Sequence, residues 1–247
     1  QGAWQAGDRR AVADLVMDWI TDNPASAAGP AWNDHAIAYR TDTLVKLLAE
    51  GLASELTRRE LAQLLLVLHE QGVALRRFLD DPAWVGHNHN LFHSLSLFNL
   101  ATAVPQLAHA EEWRARAQRR VGELLTEMVD PSEGVSTEQS VGYHFVALDL
   151  FATAQDWLRR HGAPLGPEVG PILDKMREFG ALVTHPDGTL PAIGDTSYGA
   201  PFDGRHFDPS LDHPPVATWV LSNGRRGTAP PPLLVFPRTG YAIFRAW

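Results

Sequence analysis

The chain has 247 residues, a net charge of −8 with histidine neutral, and no cysteine. Apolar residues make up 45% and charged residues 20%, an ordinary globular composition that excludes a wholly disordered chain. No run of about 18 or more apolar residues occurs, so the sequence predicts no membrane-spanning helix. The acidic balance argues against bulk binding of nucleic acid. The absence of cysteine excludes disulfides, thiolate metal sites and a cysteine nucleophile.

Apolar periodicity predicts seven helices in series, joined by short connections that favour antiparallel helix hairpins. The expected helices lie at about 9–21, 34–49, from the capping box of Thr57 and Glu60 to Phe78, from His89 to Pro105, from Trp113 to Met128, and at 138–160 and 168–182. No strict repeat with a fixed signature is visible, so a regular solenoid is disfavoured. The pattern predicts a mainly α fold, either a bundle or a helical toroid.

The chain changes character after the last predicted helix. Residues 184–230 are rich in Pro, Gly and Asp, which predicts a long loop region of the kind that often carries function. Two short apolar segments, 233–236 and 241–244, flank a Pro-Arg-Thr-Gly turn and predict a β-hairpin. We therefore expect a helical domain over 1–230 and the first strands of a truncated β-domain over 231–247. The alternative is a small terminal hairpin that closes the helical domain.

A histidine-rich segment marks the start of the fourth predicted helix. Asn88 and His89 stand there, and a helix N-terminus with free N–H groups suits a carboxylate ligand. The alternative is that Asn88 is simply the N-cap, and that His89 and His93 form a surface pair one turn apart. A metal site is not expected, because no glutamate stands between the two histidines and no third ligand is evident.

Three further segments carry candidate polar groups. Tyr143 is expected one turn into the sixth helix, where it is either a general acid or base or a core aromatic residue. Asp34 is expected as the N-cap or a first-turn acid of the second helix, with Arg40 two turns further along. The alternative there is a structural Asp–Arg interaction. Asp195 follows Gly194 in the loop region, where it either accepts hydrogen bonds at a site or caps a turn.

Taken in order, these segments resemble the heparinase II/III-like polysaccharide lyases. The likeness lies in Trp32-x-Asp34-His35 with Arg40, Asn88-His89, Glu138-Gln139-Ser140-x-Gly142-Tyr143-His144, Pro191-x-Ile193-Gly194-Asp195, and Phe236-Pro237-x-x-Gly240-Tyr241-Ala242-x-Phe244-Arg245. The resemblance implies an (α/α) toroid followed by an antiparallel β-sandwich domain. It also implies β-elimination on a uronic-acid polysaccharide, without a metal or organic cofactor.

The resemblance also implies roles for single residues. Asn88 and His89 match the family's Asn-His pair, which neutralises the substrate carboxylate, and Tyr143 matches its catalytic tyrosine. A further histidine would come from the missing C-terminal β-domain, which would complete the cleft. The residues expected to bind substrate are Trp32, His35, Arg40, His87, Gln139, His144 and Asp195. An acidic polysaccharide as the partner implies a secreted or periplasmic protein.

Two other functions remain open at this point. A glycoside hydrolase on a similar helical toroid would need two carboxylates across a cleft, with Asp34, Glu138 and Asp195 as the candidates. A carbohydrate-binding module without catalysis would keep the cleft and lack the chemistry.

Overall fold

The computed structural model describes residues 8–25, 29–201 and 213–244. Most of the described chain is helical, with two short antiparallel strand pairs. The helices are α1 (Arg9–Asp22), α2 (Asp34–Ala49), α3 (Arg58–Leu79), α4 (Asn88–Ala103), α5 (Ala110–Met128), α6 (Val141–Arg160), α7 (Val169–Val183) and α8 (Pro215–Leu221). The strands are β1 (Val129–Asp130), β2 (Val135–Ser136), β3 (Leu233–Phe236) and β4 (Tyr241–Phe244). No helix in the described part is both long and apolar enough to cross a membrane.

The chain divides into two compact units, residues 1–121 and 122–247. In the first unit α4 packs against both α2 and α3, and α1 packs against α3. Leucine and phenylalanine side chains recur at helical spacing and are removed from water, which is the main stabilising contribution. The fully buried side chains of this unit include Ile37, Leu64, Leu68, Leu75, Leu91, Leu97 and Phe98.

In the second unit α6 packs against α7, and α7 packs against α8. The strand β2 contacts both α6 and α7, and β3 pairs with β4 in register from Leu233–Phe244 to Phe236–Tyr241. The core of this unit is apolar and aromatic. Its fully buried side chains include Leu148, Phe151, Leu158, Leu173, Met176 and Phe179.

The structure confirms the predicted mainly α fold and most helix bounds. The second helix spans the predicted residues, and the capping box of Thr57 and Glu60 is formed in both directions. The C-terminal hairpin pairs the two predicted segments. That hairpin falls within the second unit, and the predicted domain boundary at residue 230 stays a prediction.

Two sequence expectations about local structure are wrong. The sixth helix begins at Val141 rather than near residue 138, because the preceding residues form the β1–β2 hairpin and Ser140 caps the helix. The predicted loop region contains the seven-residue helix α8. Residues 202–212 of that region, and Arg245 of the C-terminal motif, lie outside the described residues.

Candidate functional site

In the first unit the candidate residues lie at the N-terminal ends of α2 and α4. Asn33 caps α2, since its side chain accepts a hydrogen bond from the amide of Ala36. His87 caps α4, since its Nδ1 accepts a hydrogen bond from the amide of His89 at 3.2 Å. The expectation that Asn88 is the N-cap is therefore wrong. The N-cap is His87, one position earlier, through its imidazole nitrogen.

Asp34 and His89 form a close polar pair between these two helices. The Nδ1 of His89 lies 2.6 Å from Oδ2 of Asp34. Because a carboxylate can only accept, His89 donates from Nδ1, which leaves its Nε2 as the other polar atom of the ring. Burial acts to raise the pKa of Asp34, but hydrogen bonds from His89 and from the backbone N–H of His35 outweigh it. The pKa of Asp34 is lowered as a result.

The ring of His89 is held between two other rings. It stacks on His35 with ring centroids 3.5 Å apart, and on Trp84 with centroids 5.2 Å apart and planes only 15° from parallel. Its side chain is 28% exposed, so one part of the ring remains open to solvent. Burial, reinforced by the neighbouring His89, lowers the pKa of His35. The stack and the bond to Asp34 together fix the orientation of His89.

His93 completes the histidine cluster from inside the unit. Its side chain is 0% exposed, and its Nε2 lies 3.3 Å from Oδ2 of Asp34 without the alignment of a hydrogen bond. Burial lowers the pKa of His93 to about 4, so the ring is neutral at neutral pH. The alternative of a surface pair of His89 and His93 is therefore wrong. His89 is partly exposed, whereas His93, one helical turn later, is buried in the core.

Asn88 is half-buried beside the cluster, and its Oδ1 has no hydrogen-bond partner among the residues that the structure describes. His87, in contrast, is exposed, and its ring meets that of His89 edge-on with centroids 4.3 Å apart. The carbonyl oxygen of the Asn88 amide is thus an acceptor that the described fold does not use. An amide of this kind suits a ligand with both donor and acceptor groups.

Arg40 belongs to an aromatic cluster rather than to an ion pair. Its guanidinium lies 4.1 Å from the ring centre of Trp19 and 5.2 Å from that of Trp32. One of its nitrogens donates to the carbonyl of Ala31 at 2.6 Å, and burial lowers its pKa to about 10. The suggested structural pairing with Asp34 is wrong, because Asp34 pairs with His89 instead.

In the second unit Tyr143 lies in the first turn of α6 and is 36% exposed. The alternative that it is a core aromatic residue is therefore wrong. Its amide donates to Oγ of the N-cap Ser140. The amide of Gly142 donates to Oγ1 of Thr196 at 2.8 Å, and that hydroxyl is also hydrogen-bonded to Ser140. The start of the helix that carries Tyr143 is thus held by a buried threonine from the loop region.

Gln139 stands just before this helix in a left-handed backbone conformation, with φ of 53°. Its side-chain amide donates to the carbonyl of Thr239, in the turn between β3 and β4, at 3.0 Å. Gly194 packs so closely here that an added Cβ would lie 2.5 Å from the carbonyl oxygen of Gln139. The loop region and the C-terminal hairpin therefore both fix the backbone ahead of Tyr143.

Two carboxylates lie near the same helix start. Glu138 and Asp195 are both exposed. Partial burial, and then the negative charge of Asp195, raise the pKa of Glu138. Among the described contacts Asp195 has no hydrogen bond from a His, Arg or Tyr side chain.

His144 occupies a core position. It is 1% exposed, its Nδ1 accepts from the amide of Ser136, and its Nε2 lies 3.0 Å from the carbonyl of Met176. Both ring nitrogens are therefore used in joining β2, α6 and α7. The expectation that the His144 side chain lines a cleft does not agree with this burial.

The sequence model of the Heparinase II/III N-terminus family matches residues 6–201. The chain belongs to this family. No curated protein matches the sequence.

Solved structures of heparinases resemble this chain over most of its length. The heparinase III BT4657 gene product matches with a TM-score of 0.70 at 19% identity, over 95% of this chain and 41% of its own. Heparan sulfate lyase HepC from Pedobacter heparinus matches with a TM-score of 0.65 at 20% identity, over 90% of this chain and 36% of its own. A further heparinase III structure matches with a TM-score of 0.59 at 22% identity, over 72% of this chain and 28% of its own.

At these identities the likeness shows the fold, and it confirms the fold class expected from the sequence. The chain spans about two fifths or less of the length of the heparinase structures that it matches.

The predicted site residues of this heparinase-family chain fall into separate groups in the structure. His35, His87, Asn88 and His89 lie at the N-terminal ends of α2 and α4, where His89 is hydrogen-bonded to Asp34. Trp32 and Arg40 make their described contacts with Trp19 and neighbouring backbone. Gln139, Tyr143 and Asp195 belong to the second unit, at the start of α6.

Sequence reasoning missed three residues of these clusters. Trp84 stacks on His89, and its only local signal is a Pro-Ala-Trp turn just before α4. Thr196 holds the start of α6 through hydrogen bonds to Ser140 and Gly142, but no sequence pattern indicates that role. The core position of His93 was missed, because helical spacing suggests a surface pair or a metal pair with His89 and does not tell which side faces the core.

Proposed function

We propose that this chain is the helical part of a polysaccharide lyase that cleaves a uronic-acid-containing polysaccharide by β-elimination. The observation that carries the proposal is the family membership, together with an asparagine and an oriented histidine at the start of α4. The heparan sulfate lyase and the heparinases among the similar structures are named for activity on polysaccharides of this class. Action on an extracellular polymer would place the protein outside the cytoplasm, secreted or periplasmic.

The first requirement of the reaction is to neutralise the carboxylate next to the C5 carbon. Loss of the C5 proton builds negative charge onto that carboxylate, so preorganised donors lower the barrier. Asn88 is half-buried at the start of α4, where the N–H group of its side-chain amide can donate to a carboxylate, and His89 has an orientation fixed by Asp34 and by two stacked rings. The lowered pKa of Asp34 keeps that carboxylate negative, so it accepts the hydrogen bond from Nδ1 of His89 and holds the ring in place.

The second requirement is a group that moves protons. A base removes the C5 proton, and an acid protonates the departing O4 oxygen. Tyr143 is the candidate for both steps, because its phenol is partly exposed in the first turn of α6.

The test is the ultraviolet absorbance of the unsaturated uronate product on a panel of uronate polysaccharides. It is run with this chain and with the longest natural polypeptide that contains it. Tyr143→Phe is expected to lower turnover by about 10²–10⁴-fold, the usual contribution of a general acid or base, with little change in KM. Tyr198→Phe is the matched control, since Tyr198 is 97% exposed and in the same unit. Equal loss in both variants would contradict the role of Tyr143.

A hydrolase is the second candidate, favoured by one observation. Glu138 has a raised pKa beside Asp195, and a general acid of a glycosidase is a carboxyl group with a raised pKa. New reducing ends without a rise in absorbance, lost in Glu138→Gln and kept in Tyr143→Phe, would replace the lyase by this candidate. Polysaccharide binding with neither product would indicate a binding module.

A further inference from the structure

We propose that Asp34, His35 and His89 form a binding site for a divalent transition-metal ion of the Zn²⁺ class. The three residues offer one carboxylate oxygen and two imidazole nitrogens that all lie within 4.8 Å of one another. This goes beyond the proposed lyase reaction, which needs no metal. The spacing of His89 and His93 in the sequence gave no third ligand, but the packing of α2 against α4 supplies two from another helix.

The donor set selects the class of ion. Imidazole nitrogen suits zinc, copper, nickel and iron, whereas calcium and magnesium prefer all-oxygen shells. Two histidines and one carboxylate are a common three-residue set for zinc, with a fourth position left for water or another ligand.

Binding of an ion requires the stacked rings of His35 and His89 to turn, because a metal lies in the plane of each imidazole that ligates it. Zinc bonds of about 2.0–2.2 Å in a tetrahedron place ligand atoms about 3.3 Å apart. Nδ1 of His89 and Oδ2 of Asp34 now lie 2.6 Å apart, joined by a proton. An ion that replaces this proton would move the two atoms apart by about 0.7 Å, while the third ligand closes in from within 4.8 Å.

A second observation points to the same place. Within the described part of the chain, the buried Nε2 of His35 has no hydrogen-bond partner, and neither ring nitrogen of the fully buried His93 has one. Leaving a buried polar group unpaired is unfavourable, so several such groups in one cluster suggest a partner. The Nε2 of His93 faces the Asp34 carboxylate at 3.3 Å, where it can orient that ligand once the proton between Asp34 and His89 is gone.

The experiment titrates the full chain, purified without a histidine tag, with Zn²⁺ by calorimetry, in the absence of polysaccharide. We expect one equivalent to bind saturably. Asp34→Asn and His35→Gln are each expected to weaken binding by about 100-fold or more, since even outer-shell changes cost 10–100-fold. Co²⁺ in place of Zn²⁺ should give the intense visible absorption of a tetrahedral site, lost in both variants.

The matched control is His69→Gln, which removes a histidine from the other histidine pair of the same unit, His69 and His109. This variant should bind Zn²⁺ as the unaltered chain does, and circular dichroism checks that every variant is folded. Absence of saturable binding, or binding that survives both Asp34→Asn and His35→Gln, or loss in His69→Gln, would each overturn the proposal. Because no polysaccharide is present, failure of the lyase proposal leaves this result unaffected.

Discussion

Replacing Gly134 by alanine should destabilise the second unit more than an ordinary glycine substitution. Gly134 lies in the β1–β2 turn with φ of 67°. An added Cβ would lie 2.4 Å from Cβ of Lys175 and 2.7 Å from the backbone nitrogen of Met176, in α7. The left-handed conformation costs a non-glycine residue about 1–2 kcal/mol. Overpacking against a helix backbone adds about 1–3 kcal/mol, so the expected loss is about 2–5 kcal/mol.

Two other glycines of the same unit separate these contributions. Gly188 has φ of 81° and open space around its Cβ position, so Gly188→Ala should cost only the conformational part, about 1–2 kcal/mol. Gly122 lies within α5 with open space and an ordinary φ, so Gly122→Ala should stabilise the chain by about 0.5–1 kcal/mol. The measurement is urea unfolding followed by circular dichroism. A loss for Gly134→Ala no larger than that for Gly188→Ala would refute the close approach of the turn to α7.

Further predictions concern single hydrogen-bonding groups, measured by the same unfolding assay. Thr57→Ala should cost about 1 kcal/mol by removing the cap of α3, whereas Thr57→Ser should cost little. Thr41→Val should cost about 1–3 kcal/mol, because it leaves the buried amide oxygen of Gln71 unpaired, and a double variant with Gln71→Leu should recover part of that loss. Burial acts to raise the pKa of Asp130, but its hydrogen bonds lower it to about 2. The ionised Asp130 should therefore add about 1–2 kcal/mol to the free energy of unfolding above pH 4, and this contribution should be lost as pH falls toward 2. Asp130→Asn should remove that pH dependence.

Sequence reasoning succeeded where the determinant is local. The capping box of Thr57 and Glu60 depends on residues three apart, and the C-terminal hairpin on a four-residue turn between two apolar segments. All the residues that determine these features are close together in the sequence, so no tertiary information is needed.

Sequence reasoning failed where the burial or pairing of a residue depends on a partner from another helix. The burial of His93 depends on which face of α4 meets α3, and the pairing of Asp34 depends on the approach of α2 to α4. Likewise the N-cap of α4 is His87 because an imidazole nitrogen accepts the bond that asparagine was expected to accept. Residue type alone favours asparagine as the N-cap, but in the structure the helix begins at Asn88 and the residue before it is the cap.

The bonds that hold the start of α6 also bear on the order in which the second unit folds. Gly142 is bonded to a residue 54 positions later, and Gln139 to one 100 positions later. Contacts so distant along the chain form only after large loops close, which slows the folding of a domain. During synthesis, the helix that carries Tyr143 can form early, but its first turn reaches its final geometry only after Thr239 has left the ribosome.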